Sequence, residues 1–181
     1  MKIVPCAFQL PNGEMLTVRS LCAEDAEALE VFRCATYSET HFMARYPEEG
    51  ANLEAMQKGL AGCEASALNF EVGAFAGEKL VGEFGVAQVR PHIKYRHRAV
   101  VGISVRKDYW GCGLGSYLMQ LAIDQTRTNG FEQLELGVYS DNTRAIHLYE
   151  KFGFERCGTT PHAYILKDGT YRDEIMMVKM L

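Results

Sequence analysis

A glycine-rich segment carries the most specific chemical signal in this sequence. Val105 to Ser116 reads VRKDYWGCGLGS and leads from an apolar stretch, through three alternating glycines, into an amphipathic stretch. Gly111, Gly113 and Gly115 have no side chains, so a ligand can approach the backbone closely there. A helix that starts at these glycines directs free N–H groups and a favourable dipole toward an anion. The segment therefore predicts a phosphate-binding turn, although a purely structural helix start would share the same pattern.

Three types of phosphate-binding turn can be compared by the residues around their glycines. A Walker A loop requires a lysine after its last glycine, and no lysine follows here. A dinucleotide-binding G-x-G-x-x-G, counted from Gly111, would need glycine where Ser116 stands. A G-x-G-x-G turn between a strand and a helix remains. A nucleotide-binding α/β protein that uses this turn for another phosphate stays open as an alternative.

A second motif lies downstream, where Asn142 to Phe154 reads NTRAIHLYEKFGF. Together the two segments resemble the GNAT superfamily of N-acetyltransferases, in which V-x-x-x-[YF]-[RQ]-G-x-G-[ILV]-[GA]-x-x-L precedes N-x-x-A-x-x-L-Y-x-x-x-G-F. The resemblance is clearest from Ala99 to Phe154 and extends over Leu16 to Leu181. It implies transfer of an acetyl group from acetyl-CoA to a primary amine, by direct attack and without a covalent enzyme intermediate.

The resemblance also implies which residues bind acetyl-CoA. In the family, the strand before the glycine turn splays from its neighbour, and the pantetheine arm bonds to its backbone, here at Ile103, Ser104 and Val105. Asn142 matches a further cofactor contact of the family, or serves only as a helix cap. The pyrophosphate would lie against the loop formed by Gly111, Cys112, Gly113, Leu114, Gly115 and Ser116.

Two positions in the loop depart from the family pattern. Trp110 stands where the family usually has Arg or Gln, and Cys112 where a basic residue is frequent. Binding of the pyrophosphate would then rely on backbone donors, with Arg106 and Lys107 as candidate replacement cations. Cys112 itself is either a reactive thiol at a helix start or simply a small residue in a tight turn.

Of the two catalytic candidates, Tyr149 and Glu83, only Tyr149 is assigned by its motif position. Tyr149 matches the tyrosine that the family keeps near the acetyl-CoA sulfur, where a phenol can protonate the departing thiolate as general acid. Helical spacing alone would instead read Tyr149 as a core residue. Glu83 is the favoured general base because it lies inside a predicted strand, but it could equally be a surface charge. Glu71, His97 or a chain of water molecules are the alternatives.

The acceptor is expected to be a small-molecule or peptide amine, and the sequence does not identify it. The family builds its acceptor groove from the first helices and the last hairpin. Candidates by position alone are Glu39, Thr40, His41, Arg45, Tyr46 and Tyr164.

Apolar periodicity predicts the elements that hold these residues. Strands are expected at 15–21, 69–75, 79–89, 99–105 and 133–139, followed by a hairpin of 163–167 and 171–180. Helices are expected from Cys22, over 52–62, over 114–127, and over 142–152 with Ser140 or Asp141 as its N-cap. This order predicts an α/β (α+β mixed sheet) domain, that is, a GNAT-like acyl-CoA N-acyltransferase fold with a central mixed β-sheet flanked by helices.

Length and composition fit one ordinary globular domain. The chain has 181 residues, 48% of them hydrophobic and 23% charged. We expect a loose N-terminal extension over residues 1–14 and the N-acetyltransferase domain over 15–181. The net charge of −4 does not suggest a nucleic-acid binder.

The same features predict where the protein acts and with what. Six scattered cysteines, without a C-x-x-C pair or an evident signal peptide, favour reduced thiols and a cytoplasmic location. No metal and no membrane partner is expected, and a homodimer is possible. A non-catalytic acetyl-CoA-binding sensor or regulatory module on the same fold is the main alternative function, because a fold does not fix an activity.

Overall fold

A computed structural model describes residues 3–181 and shows one eight-stranded mixed sheet with four α-helices. Met1 and Lys2, part of the predicted N-terminal extension, lie outside the described residues. The strands are β1 Cys6–Gln9, β2 Met15–Ser20, β3 Phe70–Ala76, β4 Lys79–Gln88, β5 Arg98–Val105, β6 Gln133–Tyr139, β7 Glu155–Ile165 and β8 Tyr171–Met180. The helices are α1 Ala26–Glu39, α2 Leu53–Ala65, α3 Leu114–Thr128 and α4 Thr143–Lys151.

The strand order across the sheet is β1-β2-β3-β4-β5-β6-β8-β7. All neighbours are antiparallel except β5 and β6, which run parallel and are connected through α3. A parallel pair needs such a crossover because the chain must return to the same end of the sheet. The predicted mixed sheet flanked by helices is confirmed.

Helices cover both faces of the sheet, and alternation along β4 shows which helix lies on which face. A side chain at Gly82 would meet Leu114 and Leu118 of α3, whereas the next residue, Glu83, bonds Arg33 of α1. Successive strand residues point to opposite faces, so α1 and α3 lie on opposite sides of β4. No helix among residues 3–181 is long and apolar enough to cross a membrane.

The segment expected to be loose at the N-terminus instead forms a strand in its described part. Cys6–Gln9 pairs antiparallel with β2, and the Phe8 ring stacks on Tyr117 of α3 with centroids 4.5 Å apart. Ile3 and Leu10 are buried in the main core. A strand of four residues at a sheet edge gives too short an alternation to be seen in the sequence.

Two other expectations near the C-terminus need correction. The first strand of the last hairpin starts at Glu155, not Ala163, because β7 is an exposed edge strand without apolar alternation. Its pairing with β8 shifts register between Thr160 and Tyr164, where His162 adopts φ 52°. The N-cap of α4 is Asn142, whose side chain accepts from the Ala145 N–H at 3.2 Å, and not Ser140 or Asp141.

Candidate active site

A cleft of about 540 Å³ opens where β5, the glycine turn, α4 and the end of α1 meet. Its wall contains most of the residues expected to bind the cofactor, which are Ile103, Ser104, Val105, Gly111, Gly113, Gly115, Ser116 and Asn142. Tyr149 also lines it. Segments separated by more than a hundred residues in the sequence, such as Thr36 and Tyr149, thus form one concave surface.

Divergence of β5 from β6 creates one wall of the cleft. The two strands pair only from Arg98 to Val100, whereas β5 stays paired with β4 as far as Val105. Beyond Val100, no pairing to β6 is present in the described chain. The backbone of Ile103 to Val105 is therefore open on one edge, where an extended ligand with amide groups can bond as a strand would.

The glycine turn presents backbone donors to the same cleft. Gly111 and Gly113 adopt φ +77° and +89°, a left-handed conformation that residues with a Cβ rarely adopt. Gly113 is the N-cap of α3, and the first bond in the helix is donated by Tyr117 N–H to the Gly113 carbonyl at 3.0 Å. The N–H groups of 114–116 are consequently not used inside the helix and can bind an anion.

Positive charge near the glycine turn comes from α4 and not from Arg106 and Lys107, the two candidate replacement cations. Arg106 is paired with Glu39 at 2.7 Å, and Lys107 is exposed and does not line the cleft. Arg144 lies instead over the Trp110 ring, 4.7 Å from its centroid, and both residues line the cleft. The Trp110 indole N–H donates to the Val105 carbonyl at 2.8 Å, which fixes this aromatic platform.

Sequence reasoning missed this basic stripe of α4. Arg144, His147 and Lys151 all line the cleft, and they recur at the three- and four-residue spacing of one helix face. That spacing was visible within the second motif and could have been read as a cationic face beside the phosphate turn. Two of them, Arg144 and Lys151, place positive charge in the wall of the cleft.

Tyr149 is almost completely buried at the inner end of the cleft, with 8% of its surface exposed. Burial raises the pKa of its phenol to about 12, so the hydroxyl stays protonated at physiological pH. Its ring packs near Phe154. Among residues 3–181 no group forms a hydrogen bond with the Tyr149 hydroxyl, so the hydroxyl can donate to a ligand in the cleft.

Glu83 lies behind the cleft and not in its wall. The carboxylate accepts two hydrogen bonds from Arg33, both at 3.1 Å, and only 8% of Glu83 is exposed. The Ser104 hydroxyl, which does line the cleft, donates to Glu83 Oε1 at 3.2 Å. Ser104 therefore connects this buried carboxylate to the cleft.

Several other predicted residues take different places. The Cys112 thiol donates to the Tyr109 carbonyl at 2.8 Å and faces a second depression on the far side of the turn. Leu114 is fully buried in the core, so only its backbone can reach a ligand. His97 does not line the cleft, and its carbonyl accepts from the N–H groups of Glu132 and Gln133.

On the acceptor side, the chain after α1 is joined to the C-terminal hairpin. The His41 ring bonds Asp141 at 2.9 Å, and Tyr139 stacks on Tyr164 with centroids 3.8 Å apart. The Tyr46 hydroxyl accepts from the Lys167 N–H at 3.0 Å. Of the acceptor candidates, only Glu39 and Thr40 line the cleft itself, whereas Arg45 is exposed to solvent.

Comparison with known proteins gives consistent matches over most of the chain. Residues 28–154 match the model of the acetyltransferase (GNAT) family. The N-alpha-acetyltransferase RimI of Mycobacterium tuberculosis is 33% identical over 155 residues, which are 84% of this chain and 87% of that relative. A crystal structure of a GNAT-family acetyltransferase from Streptococcus pneumoniae superposes with a TM-score of 0.86 and 28% identity, covering 92% of this chain and 99% of the other.

Some curated relatives are matched over only part of their length. A mycothiol acetyltransferase of Corynebacterium glutamicum is 40% identical over 78 residues, which are 43% of this chain but only 25% of that protein. The chain spans between a quarter and about half of the first curated relatives it matches.

Proposed function

The chain belongs to the acetyltransferase (GNAT) family, and from this premise we propose that it transfers acetyl from acetyl-CoA to a primary amine by direct attack, with Tyr149 as general acid. Acetyl-CoA is the cosubstrate. The observation that carries the proposal is the single cleft into which the open edge of β5, the glycine turn and Tyr149 all face. The residue roles below are proposals of the same kind.

The cleft fits acetyl-CoA in its separate parts. The unpaired backbone of Ile103 to Val105 suits the amide groups of pantetheine, and the N–H groups at the start of α3 suit the pyrophosphate. Arg144 adds a cation beside that turn. Asn142, which both caps α4 and lines the cleft, serves as a further contact.

Residues around the acetyl group then promote the reaction. A neutral amine attacks the thioester carbonyl, and a backbone N–H on the open edge of β5 stabilises the oxyanion that forms. The Tyr149 hydroxyl donates its proton to the departing thiolate. Glu83 acts as the general base through Ser104, since the direct path from the cleft to this carboxylate passes through the serine hydroxyl.

Tyr149 also favours an enzyme over a non-catalytic sensor. A sensor needs only the parts that bind acetyl-CoA, whereas a protonated, buried phenol in the cleft is the group a thiolate leaving group requires. Relatives of the chain include an N-alpha-acetyltransferase and an L-amino acid N-acetyltransferase. We extend to this chain only their shared acceptor class, a primary amine. A homodimer is a separate hypothesis, which light scattering would test.

Two measurements test the function. Isothermal titration with acetyl-CoA, with ATP and NAD as controls, should give binding of acetyl-CoA alone. Release of free thiol should then follow addition of an amine from a panel of L-amino acids, peptide N-termini and polyamines. Binding without thiol release from any amine would support a sensor, and tight ATP or NAD binding without acetyl-CoA binding would contradict the assignment of the turn.

A further inference from the structure

Two carboxylates, one buried and one half-buried, share one arginine next to the proposed active site. Arg33 of α1 donates from Nη2 to Glu71 of β3 at 2.5 Å. It also donates from Nε and from Nη2 to Glu83 of β4, at 3.1 Å each. The side chains of Glu71 and Glu83 are only 16% and 10% exposed. Ionisation of both carboxylates leaves the group with one uncompensated negative charge.

The register of the sheet brings the two carboxylates together. Glu71 pairs with Gly85, and Gly73 pairs with Glu83, so both glutamates lie on the same face of neighbouring strands. A side chain at Gly85 would contact Glu71 Cγ at 3.7 Å, which shows that Glu71 lies over this glycine. Each glutamate is opposite a glycine on the neighbouring strand, so neither side chain is blocked and both can converge on Arg33.

The electrostatic consequence is a higher proton affinity at Glu71. Burial, and then the charge of Glu83, raise the pKa of Glu71 to about 7, against the opposing effect of Arg33. The other titratable groups near this cluster are Tyr37 of α1 and Cys63 of α2. Burial raises the pKa of both, so Glu71 titrates before either neighbour does.

We propose that Glu71 and Glu83 form one proton acceptor bridged by Arg33, in which Glu83 receives the amine proton through Ser104 and the neighbouring charge of Glu71 stabilises it there. This inference rests on the proposed acetyl transfer and adds to it a positioning role for Glu71 and Arg33. A single arginine-bound carboxylate is a weak base, whereas a pair that gains one proton near neutral pH is well matched to accept a proton from an ammonium group.

The protons balance over one turnover. The substrate ammonium gives one proton to the Ser104 oxygen while the Ser104 hydroxyl proton passes to Glu83, and the pair carries that proton until solvent removes it. The neutral amine then forms the C–N bond. As the C–S bond breaks, the second proton of the amine reaches the thiolate through Tyr149, so that Tyr149 ends each turnover protonated.

The pH dependence of kcat at saturating acceptor tests the proposal, because kcat reports groups of the bound complex. The unaltered protein should lose activity below about pH 7, following the titration of the pair. In Glu71→Gln this acidic limb should move down by at least about one pH unit, with kcat about ten-fold lower at pH 7.5. Arg33→Gln removes the cation beside both carboxylates and should move the limb in the opposite direction.

Glu135→Gln is the matched control. Glu135 of β6 is a half-buried carboxylate of the same sheet, its side chain 14% exposed and held by Arg98 through two hydrogen bonds, and among residues 3–181 it has no hydrogen bond to Ser104. Its pH profile should match that of the unaltered protein. A shift in Glu135→Gln equal to that in Glu71→Gln would show a general effect of lost ion pairs and would overturn the proposal.

The remaining outcomes separate this inference from the proposed function. If Glu83→Gln removes the limb but Glu71→Gln leaves it unchanged, Glu83 acts alone, and the inference fails while the proposed function stands. Carbon-detected NMR of the glutamate carboxyls needs no turnover and should show one group that titrates near pH 7 and disappears in Glu71→Gln. The absence of such a group would overturn the shared acceptor even in a fully active enzyme.

Discussion

Replacing Tyr149 with phenylalanine removes one oxygen atom from the proposed active site. The ring can keep its packing beside Phe154. No protein group among residues 3–181 forms a hydrogen bond with the hydroxyl that is lost. No buried donor or acceptor is therefore left unsatisfied. We expect the free energy of unfolding to change by less than about 0.5 kcal/mol, so that any loss of activity reports chemistry and not folding.

The size of the catalytic effect follows from the burial of the phenol. A hydrogen bond to a charged group contributes about 1.5–3 kcal/mol, which corresponds to a rate factor of about 10 to 150. Tyr149 is 8% exposed, so the thiolate forms where water cannot replace the missing donor. We therefore expect kcat to fall about 100-fold.

The assay is thiol release under saturating acetyl-CoA and amine, together with isothermal titration of acetyl-CoA. The affinity for acetyl-CoA should change less than about two-fold, because the hydroxyl acts on the leaving thiolate and not on the bound thioester. Tyr117→Phe is the matched control. Its hydroxyl lies 3.0 Å from the Cys6 sulfur, outside the cleft, so its loss should leave kcat unchanged.

Two outcomes would refute this reasoning. A kcat for Tyr149→Phe within about two-fold of the unaltered protein would exclude Tyr149 as the general acid. A loss of acetyl-CoA affinity that matches the loss of rate would mean that the hydroxyl binds the ground state. Because the pKa of Tyr149 is about 12, the unaltered protein should also show no alkaline limb from this residue below about pH 11.

The other predictions concern the phosphate turn and the stability of the fold. Arg144→Gln should weaken acetyl-CoA binding about five-fold and reduce its salt dependence in isothermal titration, and unchanged affinity would remove Arg144 from the site. Gly113→Glu should abolish binding, because it places bulk and negative charge at a residue with φ +89°; normal affinity in a folded variant would contradict the turn assignment. The ion pair with Arg19 holds the pKa of Asp25 at about 2, below its usual 3.8. The ion pair thus adds about 2 kcal/mol to the free energy of unfolding above pH 4, and this contribution is lost as the pH falls toward 2. In urea unfolding at pH 7, Asp25→Asn should be about 2 kcal/mol less stable than the unaltered protein. The stability of the variant should also not fall between pH 4 and pH 2 through this group.

Local patterns were sufficient for the elements that carry the cofactor site. The strand, glycine turn and helix from Arg98 to Thr128 form from residues close in sequence. Their apolar periodicity and glycine spacing therefore predict the local structure directly. Strand β6 was predicted with its observed bounds, Gln133–Tyr139. The edge strands β1 and β7 were missed in whole or in part because edge strands need no regular apolar face.

Side-chain partners across the fold could not be read from local patterns. The prediction of Glu83 as a base did not include Arg33, which lies 50 residues away and reaches the carboxylate only because α1 packs on that face of β4. The expected cations Arg106 and Lys107 turned out not to serve the cleft, because Glu39 at the end of α1 holds this segment. Arg144 lies over Trp110 in the wall of the cleft instead.

The sequence by itself determined the family, the glycine turn before α3 and the position of Tyr149 on α4, since each depends on residue types at fixed spacing within a continuous segment. Tertiary structure alone decided that Glu71 and Glu83 share Arg33, that Ser104 connects them to the cleft, and that α4 supplies the positive charge. These relations depend on strand register and helix packing, which bring distant residues within hydrogen-bonding distance. A shift of one residue in the pairing of β3 with β4 would turn the two carboxylates to opposite faces.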